Sequence, residues 1–139
     1  MRIEHRKMYR SNGLIDDFVV YGQPEEYLLF ADLVGKAVET IQTIPMLSES
    51  EITIEINCSN NEFDVLFTSL QTKKNEYLSV EDWENRDRLR LMGNKTVLIE
   101  LSNFLKDLSG RGAGYSYLCE YSEKYEYADD SPEWRLHVE

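Results

Sequence analysis

Two histidines, two cysteines and 26 carboxylates are the groups in this 139-residue chain that could carry catalysis or hold a metal. A nucleophilic pair would need His5 or His137 beside a serine or cysteine. His5 sits in a basic lead-in and reads as exposed. His137 lies in an alternating stretch near the C-terminus and reads as a structural or surface residue of a strand. Cys58 and Cys119 stand alone, without metal-ligand spacing, and both fall in predicted strands. They read as reduced thiols of a cytosolic protein, with a bridge between them as the open alternative. A carboxylate pair can be drawn from so many acids almost at will, so drawing one decides nothing; Glu39 and Glu100 read as water-facing helix residues. Gly110-Arg111-Gly112-Ala113-Gly114 has the glycine content of a phosphate loop, but it follows a helix and precedes a strand. Phosphate cradling needs the reverse order, with the helix N-terminus at the anion. The expectation is a protein that is not an enzyme, with no metal and no cofactor.

Charge points elsewhere. The net charge is -11 and uneven. Asp16 to Glu62 holds ten acids against Lys36 alone, and Tyr115 to Glu139 seven acids against two bases. Nucleic-acid binding needs a basic footprint that is missing here, so nucleic acid is not the expected partner. Such an acidic surface serves solubility or the capture of a basic protein. No apolar run approaches the ~20 residues of a membrane helix, and the basic start is not followed by the apolar stretch of a signal peptide.

The elements that must position these groups follow from periodicity. Residues 1–13 read as a lead-in or edge strand closed by a turn at Ser11-Asn12-Gly13, and Leu14 to Tyr21 as a strand. Pro24 suits the first helical position. Tyr27, Phe30, Ala31, Val34, Ala37, Val38 and Ile41 recur at helical spacing over about five turns, stopped by Pro45. Ile52, Ile54 and Ile56, then Phe63, Val65 and Phe67, alternate like the two strands of a hairpin around Ser59-Asn60-Asn61-Glu62. Residues 72–75 read as a turn, 76–80 as a short strand, and 79–87 as a short helix carrying Trp83 as a lid or an exposed anchor. Asn94 can cap a second helix, with Gly110 as its left-handed terminal residue. From Tyr115 to Tyr127 every odd position is Tyr, Cys or Glu, which predicts one long strand, about 45 Å if straight, bending near Glu123.

Sliding the chain along itself until Phe18 falls on Leu89 also brings Val20 onto Leu91, Gly22 onto Gly93, and the first helix onto the second. The expected fold is a single α+β domain over 1–139. It has one antiparallel sheet of about six strands built from two βαββ units, 14–68 and 87–139, joined by a connector at 69–86. Two long helices cover one face. Phase then turns Phe63, Val65, Phe67, Tyr115, Tyr117, Tyr125, Tyr127 and the Ile52 and Trp134 sets inward. Thr53, Glu55, Asp64, Thr68, Glu120, Glu126 and His137 turn outward.

Four segments also carry a resemblance. They are Tyr21-Gly22-Gln23-Pro24-Glu25-Glu26-Tyr27 opening a helix, Leu91-Met92-Gly93-Asn94 before the next, Gly114-Tyr115-Ser116-Tyr117, and Ser131 to Val138 at the end. Over residues 14–139 this pattern resembles small acidic immunity proteins of bacterial polymorphic toxin systems. Tyr115 and Tyr117 stand where histidines often stand in those proteins, so no histidine site is carried over. The resemblance implies a cytoplasmic protein that neutralises a toxin domain by stoichiometric binding. The candidate contacts are Glu55, Asp64, Glu120, Glu126, Asp129 and Asp130, with Tyr121 as an anchor. The alternative class is a small-molecule-binding or regulatory domain, monomeric or dimeric through a sheet edge.

Overall fold

A computed structural model describes residues 1–11, 13–46, 52–72, 79–80 and 84–139, with the backbone alone at 8–10 and 13–14. The elements in order are β1 (Arg2–Arg10), β2 (Gly13–Gly22), α1 (Pro24–Lys36), β3 (Gln42–Pro45), β4 (Thr53–Cys58), β5 (Val65–Gln71) and β6 (Arg88–Gly93). They continue with α2 (Lys95–Gly110), β7 (Gly114–Tyr117), a 3-10 turn (Leu118–Glu120), β8 (Glu126–Tyr127) and β9 (Glu133–Val138). Of the connector predictions, residues 73–75 of the turn, 76–78 of the strand and 81–83 of the helix, Trp83 among them, lie outside the described residues, as does Asn12 of the first turn; Val80 and Glu84 are helical.

The single antiparallel sheet is overturned. The strands form two mixed sheets, one in the order β1-β2-β9-β7 and one in the order β3-β4-β6-β5-β8. In the first, β2 runs antiparallel to β1 and parallel to β9, which is antiparallel to β7. In the second, β6 runs antiparallel to β5 and parallel to β4, which is antiparallel to β3. The reason is physical: alternation tells which residues share a face, but not which strand lies alongside. The short link between β4 and β5 suggested a hairpin, yet β6 lies between them.

Pairing groups the elements into two ββαββ units, β1-β2-α1-β3-β4 and β5-β6-α2-β7-β9. Each unit keeps its first two strands in one sheet and gives its last two to the other. The two sheets share a pairing pattern, to which the second adds β8. Ile54 lies beside Leu89 as Trp134 lies beside Phe18. Ala31 and Ser102, which the internal repeat superposes, meet where the helices cross: the buried Ser102 Oγ donates to the Ala31 carbonyl at 2.7 Å. Rather than covering one face of a sheet, the helices pack on each other and into a core shared with both sheets. Phe18, Val20, Phe30, Val34, Ile54, Ile56, Leu89, Leu101, Trp134 and Leu136 are all buried in that one cluster. Each such side chain contributes about 2 kcal/mol on leaving water.

Local signals explain the helix ends. Glu26 Oε1 accepts the Gln23 N–H at 2.9 Å, and the N-terminal ammonium of Met1 bonds the other Glu26 oxygen. Asn94 Oδ1 accepts the Val97 N–H at 2.9 Å. Helix α1 stops at Lys36, earlier than predicted, because Val38 and Glu39 bond three residues back in a tightening turn. Ile41 is left 59% exposed. Pro45 ends β3, an edge strand where its missing N–H removes no ladder bond. Gly110 is still helical, and the left-handed residue is Gly112.

Two assigned phases are also reversed. Phe63 is 72% and Tyr115 57% exposed, while Leu66, Thr68, Leu70, Ser116 and Leu118 are buried. In β5 apolar residues occupy both parities, so alternation alone had no unique answer. In β7 the small Ser116 opposes the buried Leu136, which sends Tyr115 and Tyr117 outward. The long tyrosine strand breaks after Tyr117. Leu118 and Tyr121 turn inward at three-residue spacing across the 3-10 turn, and strand pairing resumes only at Glu126.

Candidate functional site

Register builds the outer face of the first sheet row by row. Arg2, Tyr21, His137 and Tyr115 are partners across β1, β2, β9 and β7. Glu4, Val19, Arg135 and Tyr117 form the next row. Side chains two residues apart on a strand share a face, so both rows project the same way. The Arg2 guanidinium lies 4.1 Å from the Tyr21 ring centroid, and Arg135 lies 5.5 Å from that of Tyr115. The His137 ring sits between Tyr21 at 5.2 Å and Tyr115 at 5.3 Å, stacked on the latter. Tyr21 donates its hydroxyl to Glu4 at 2.8 Å, a bond that holds the Glu4 carboxyl below the usual range. Val19 faces outward in this register yet is buried, so the Arg and Tyr side chains roof the strand. Burial and the Arg135 charge lower the His137 pKa, leaving the ring neutral at pH 7. His137 Nε2 and Arg135 Nε are both shut off from solvent, with no hydrogen-bond partner among the described residues.

The other histidine belongs to a separate cluster on the inner side. His5 stacks on Phe18 at 4.9 Å and its Nε2 lies 2.8 Å from Asp16 Oδ1. Arg86 donates to both Asp16 oxygens, at 2.7 and 2.8 Å, from a side chain only 7% exposed. Burial pushes the Asp16 carboxyl up, but the hydrogen bonds from His5 and Arg86 and the Arg86 charge outweigh it and hold it low. The cluster joins β1 and β2 of one sheet to the residues that lead into β6 of the other. The ion pair and the histidine contact make the group an electrostatic clamp between the two sheets. Sequence reading missed Asp16 and Arg86 altogether, since they lie in opposite halves of the chain and neither carries a motif.

The predicted contact residues do not form one site. Glu55 is taken internally: Arg88 donates to it at 3.3 Å, Arg90 lies at 3.4 Å and Asn57 donates at 2.7 Å. It sits on β4, with β6 and β5 between it and β8, about 14 Å across the sheet. Tyr121 is 3% exposed and donates its hydroxyl to the Glu126 carbonyl at 2.8 Å, so it offers no anchor. Its pKa is raised by burial and then by the charges of Glu100 and Asp64. The remaining five do gather. The Glu126 N–H bonds the Asp64 carbonyl as β8 joins the sheet edge, Asp129 and Asp130 occupy the following turn, and Glu120 ends the 3-10 turn before it. All five are exposed, and among the described residues none forms an ion pair; the Asp64 carboxylate accepts from Asn94, at 2.7 Å. An open cavity of about 430 Å³ beside them is lined by Cys119, Tyr127, Ala128, Asp129, Ser131 and Glu133. The Cys119 thiol points at Glu133, 3.6 Å away, and burial and that carboxylate raise its pKa, which makes it a poor nucleophile.

Among the described residues, no group of three or more His, Cys, Asp and Glu side chains is arranged to hold a metal ion. No described helix is long and apolar enough to cross a membrane. The chain matches no protein-family model, no curated protein and no solved structure.

Proposed function

We propose that this chain is a non-enzymatic protein-binding module, an immunity protein that neutralises a cognate bacterial toxin domain by stoichiometric binding in the cytoplasm. The observation that carries the reading is the β8 edge, where Asp64, Glu120, Glu126, Asp129 and Asp130 stand exposed and form no ion pair among the described residues. Unpaired carboxylates concentrated on one edge attract a basic surface and accelerate encounter with it. Glu55 and Tyr121 have no part in this, being held by contacts inside the protein. Acids on an edge strand also discourage pairing with other sheets, so the test must separate the two effects.

The test is capture from a lysate of the native host, with the protein as bait at low and moderate salt. Wild type is expected to retain one basic partner that salt loosens. The triple variant Asp64→Lys/Glu126→Lys/Asp129→Lys should retain at least tenfold less while melting within a few degrees of wild type, because exposed substitutions cost about 0.5 kcal/mol or less. Equal capture by both proteins sinks the reading. Aggregation of the variant with undiminished capture assigns the acids to edge protection instead.

A further inference from the structure

Helices α1 and α2 each bury one side in the shared core and leave another in water. On that open side Leu28 and Leu29 of α1 are 52% and 58% exposed. With Glu25, Asp32 and Lys106, the last from α2, they line an open cavity of about 410 Å³. The internal repeat puts Glu100 at the place of Leu29 and Gly35 at the place of Lys106, so the packing of one helix on the other demands neither residue. Single exposed leucines are ordinary, but an adjacent apolar pair rimmed by charge over a cavity marks a contact surface.

Charge decides what that surface meets. A chain of net charge -11 repels its own kind wherever acids are in excess. Phe63 is 72% exposed, yet it stands next to Asp64 on the acidic β8 edge, where two copies would bring like charges together. On the helices and the residues that end them the charges balance. Asp32 pairs with Lys36 at 3.1 Å, and Asp107 with Arg111 at 3.2 Å. The N-terminal ammonium holds Glu26, and Glu100 accepts from Ser122 at 3.2 Å. That leaves the exposed Glu25 and Glu39 against the exposed Lys95 and Lys106, and none of these four forms an ion pair among the described residues. A basic partner finds no excess of acid here, and a second copy of the chain finds no excess to repel it.

We propose that this helix face joins two copies of the chain in a twofold dimer. Twofold dimers are the commonest assemblies, and their contacts are self-complementary. For any two points on a flat face, a twofold axis lying in that face exchanges them. An axis running between Glu25 and Lys106 sets each Lys106 against the partner's Glu25, lays the leucines of one copy on those of the other, and closes the cavity. The face lies on α1 and α2 and the acidic edge on β8 and its flanking turns, so the dimer does not depend on the toxin reading.

The experiment is sedimentation equilibrium of the purified chain and its variants. Wild type should rise from the 16.3 kDa of one chain toward twice that mass as its concentration is raised to about 500 μM. Leu28→Ser/Leu29→Ser should weaken dimerisation about tenfold or more. Glu25→Lys and Lys106→Glu, each alone, should do the same, because the twofold axis turns one swap into two like-charge contacts. All three variants change exposed side chains and should melt within a few degrees of wild type. The sharp test is an equimolar mixture of Glu25→Lys and Lys106→Glu. In a mixed dimer both contacts again join opposite charges, so its affinity should return to within about threefold of wild type. Should the serine variant fail to fold, the mixture carries the test, since restored pairing requires two folded chains. The proposal is overturned if wild type stays at one chain throughout, if the serine variant dimerises like wild type, or if the mixture associates no better than its components.

Discussion

Replacing Asp16 with Asn removes one charge from the clamp and leaves its shape. The side chain accepts two charge-assisted bonds from Arg86, which is 7% exposed, and faces His5 at 2.8 Å. Taking one partner from a buried ion pair costs about 3–5 kcal/mol, because the other charge stays buried. Asp16 is 16% exposed and Asn keeps one acceptor oxygen, which places the loss near the lower end, about 3 kcal/mol. At about 2.1 cal/mol/K per residue, a chain of 139 residues unfolds with an entropy of about 0.3 kcal/mol/K, so the melting temperature should fall by about 10 °C. Urea titrations of wild type, Asp16→Asn, Arg86→Met and the double variant complete a cycle. In the Arg86→Met background the Asp16→Asn cost should drop below about 1 kcal/mol, since no buried charge is then left alone. An equal cost in both backgrounds would refute an electrostatic clamp. The pH dependence gives a second check. The folded pKa of Asp16 is held low, so its contribution is present above the unfolded value near 3.8 and is lost as pH falls through the lower folded value. Wild type should lose stability below about pH 4, and Asp16→Asn should show a flatter acid limb.

Three more expectations follow from the fold. A Cβ on Gly93 would lie 2.6 Å from Val97 Cγ1, whereas on the matching Gly22 its nearest neighbour is the flexible Met1 tip at 3.1 Å. Gly93→Ala should therefore cost about 1–3 kcal/mol in urea denaturation, and Gly22→Ala clearly less. Cutting the chain after the exposed Asn61 yields pieces that each lack half of both sheets. Neither should show a cooperative melt by circular dichroism alone, and mixing them should restore one. His137 has a lowered folded pKa, so the unfolded chain takes up its proton first and stability falls as pH drops below about 6.5. His137→Asn should flatten the stability profile between about pH 7 and 5.

What could be read in the sequence was local. Both helix starts were visible, because Pro24 and Asn94 act through their own turns. So were the buried rows of β4 and β9, where Ile54, Ile56, Trp134 and Leu136 alternate against polar neighbours. Neighbourhood was hidden. Nothing in residues 53–71 says that Leu89 and Leu91 come between Ile56 and Leu70, since that pairing joins the two halves of the chain. The Tyr115–Tyr127 pattern misled because hydroxyl-bearing rings suit either side of a sheet, and the small Ser116 was the better guide to the inward face. Among the contact candidates, Glu55 looked as free as Asp64, for its partners Arg88 and Arg90 come two strands later in the chain. Arg2, Tyr21 and His137 shared no spacing at all until register placed them in one row.

The exchange of strands between units also sets an order in time. During synthesis β4, which ends at Cys58, meets its parallel partner β6 once Arg88–Gly93 has emerged. Strand β2 ends at Gly22 and must wait for β9, Glu133–Val138, which lies far later in the chain. At roughly 5–20 residues per second that wait is on the order of 10 s, several times the wait of β4. Through it the nascent chain holds Phe18, Val20 and one whole side of β2 uncovered, close behind a second sheet that can already close. A ribosome-bound chain should thus acquire protection in β4 and β6 first, and the first sheet is where a chaperone would find it.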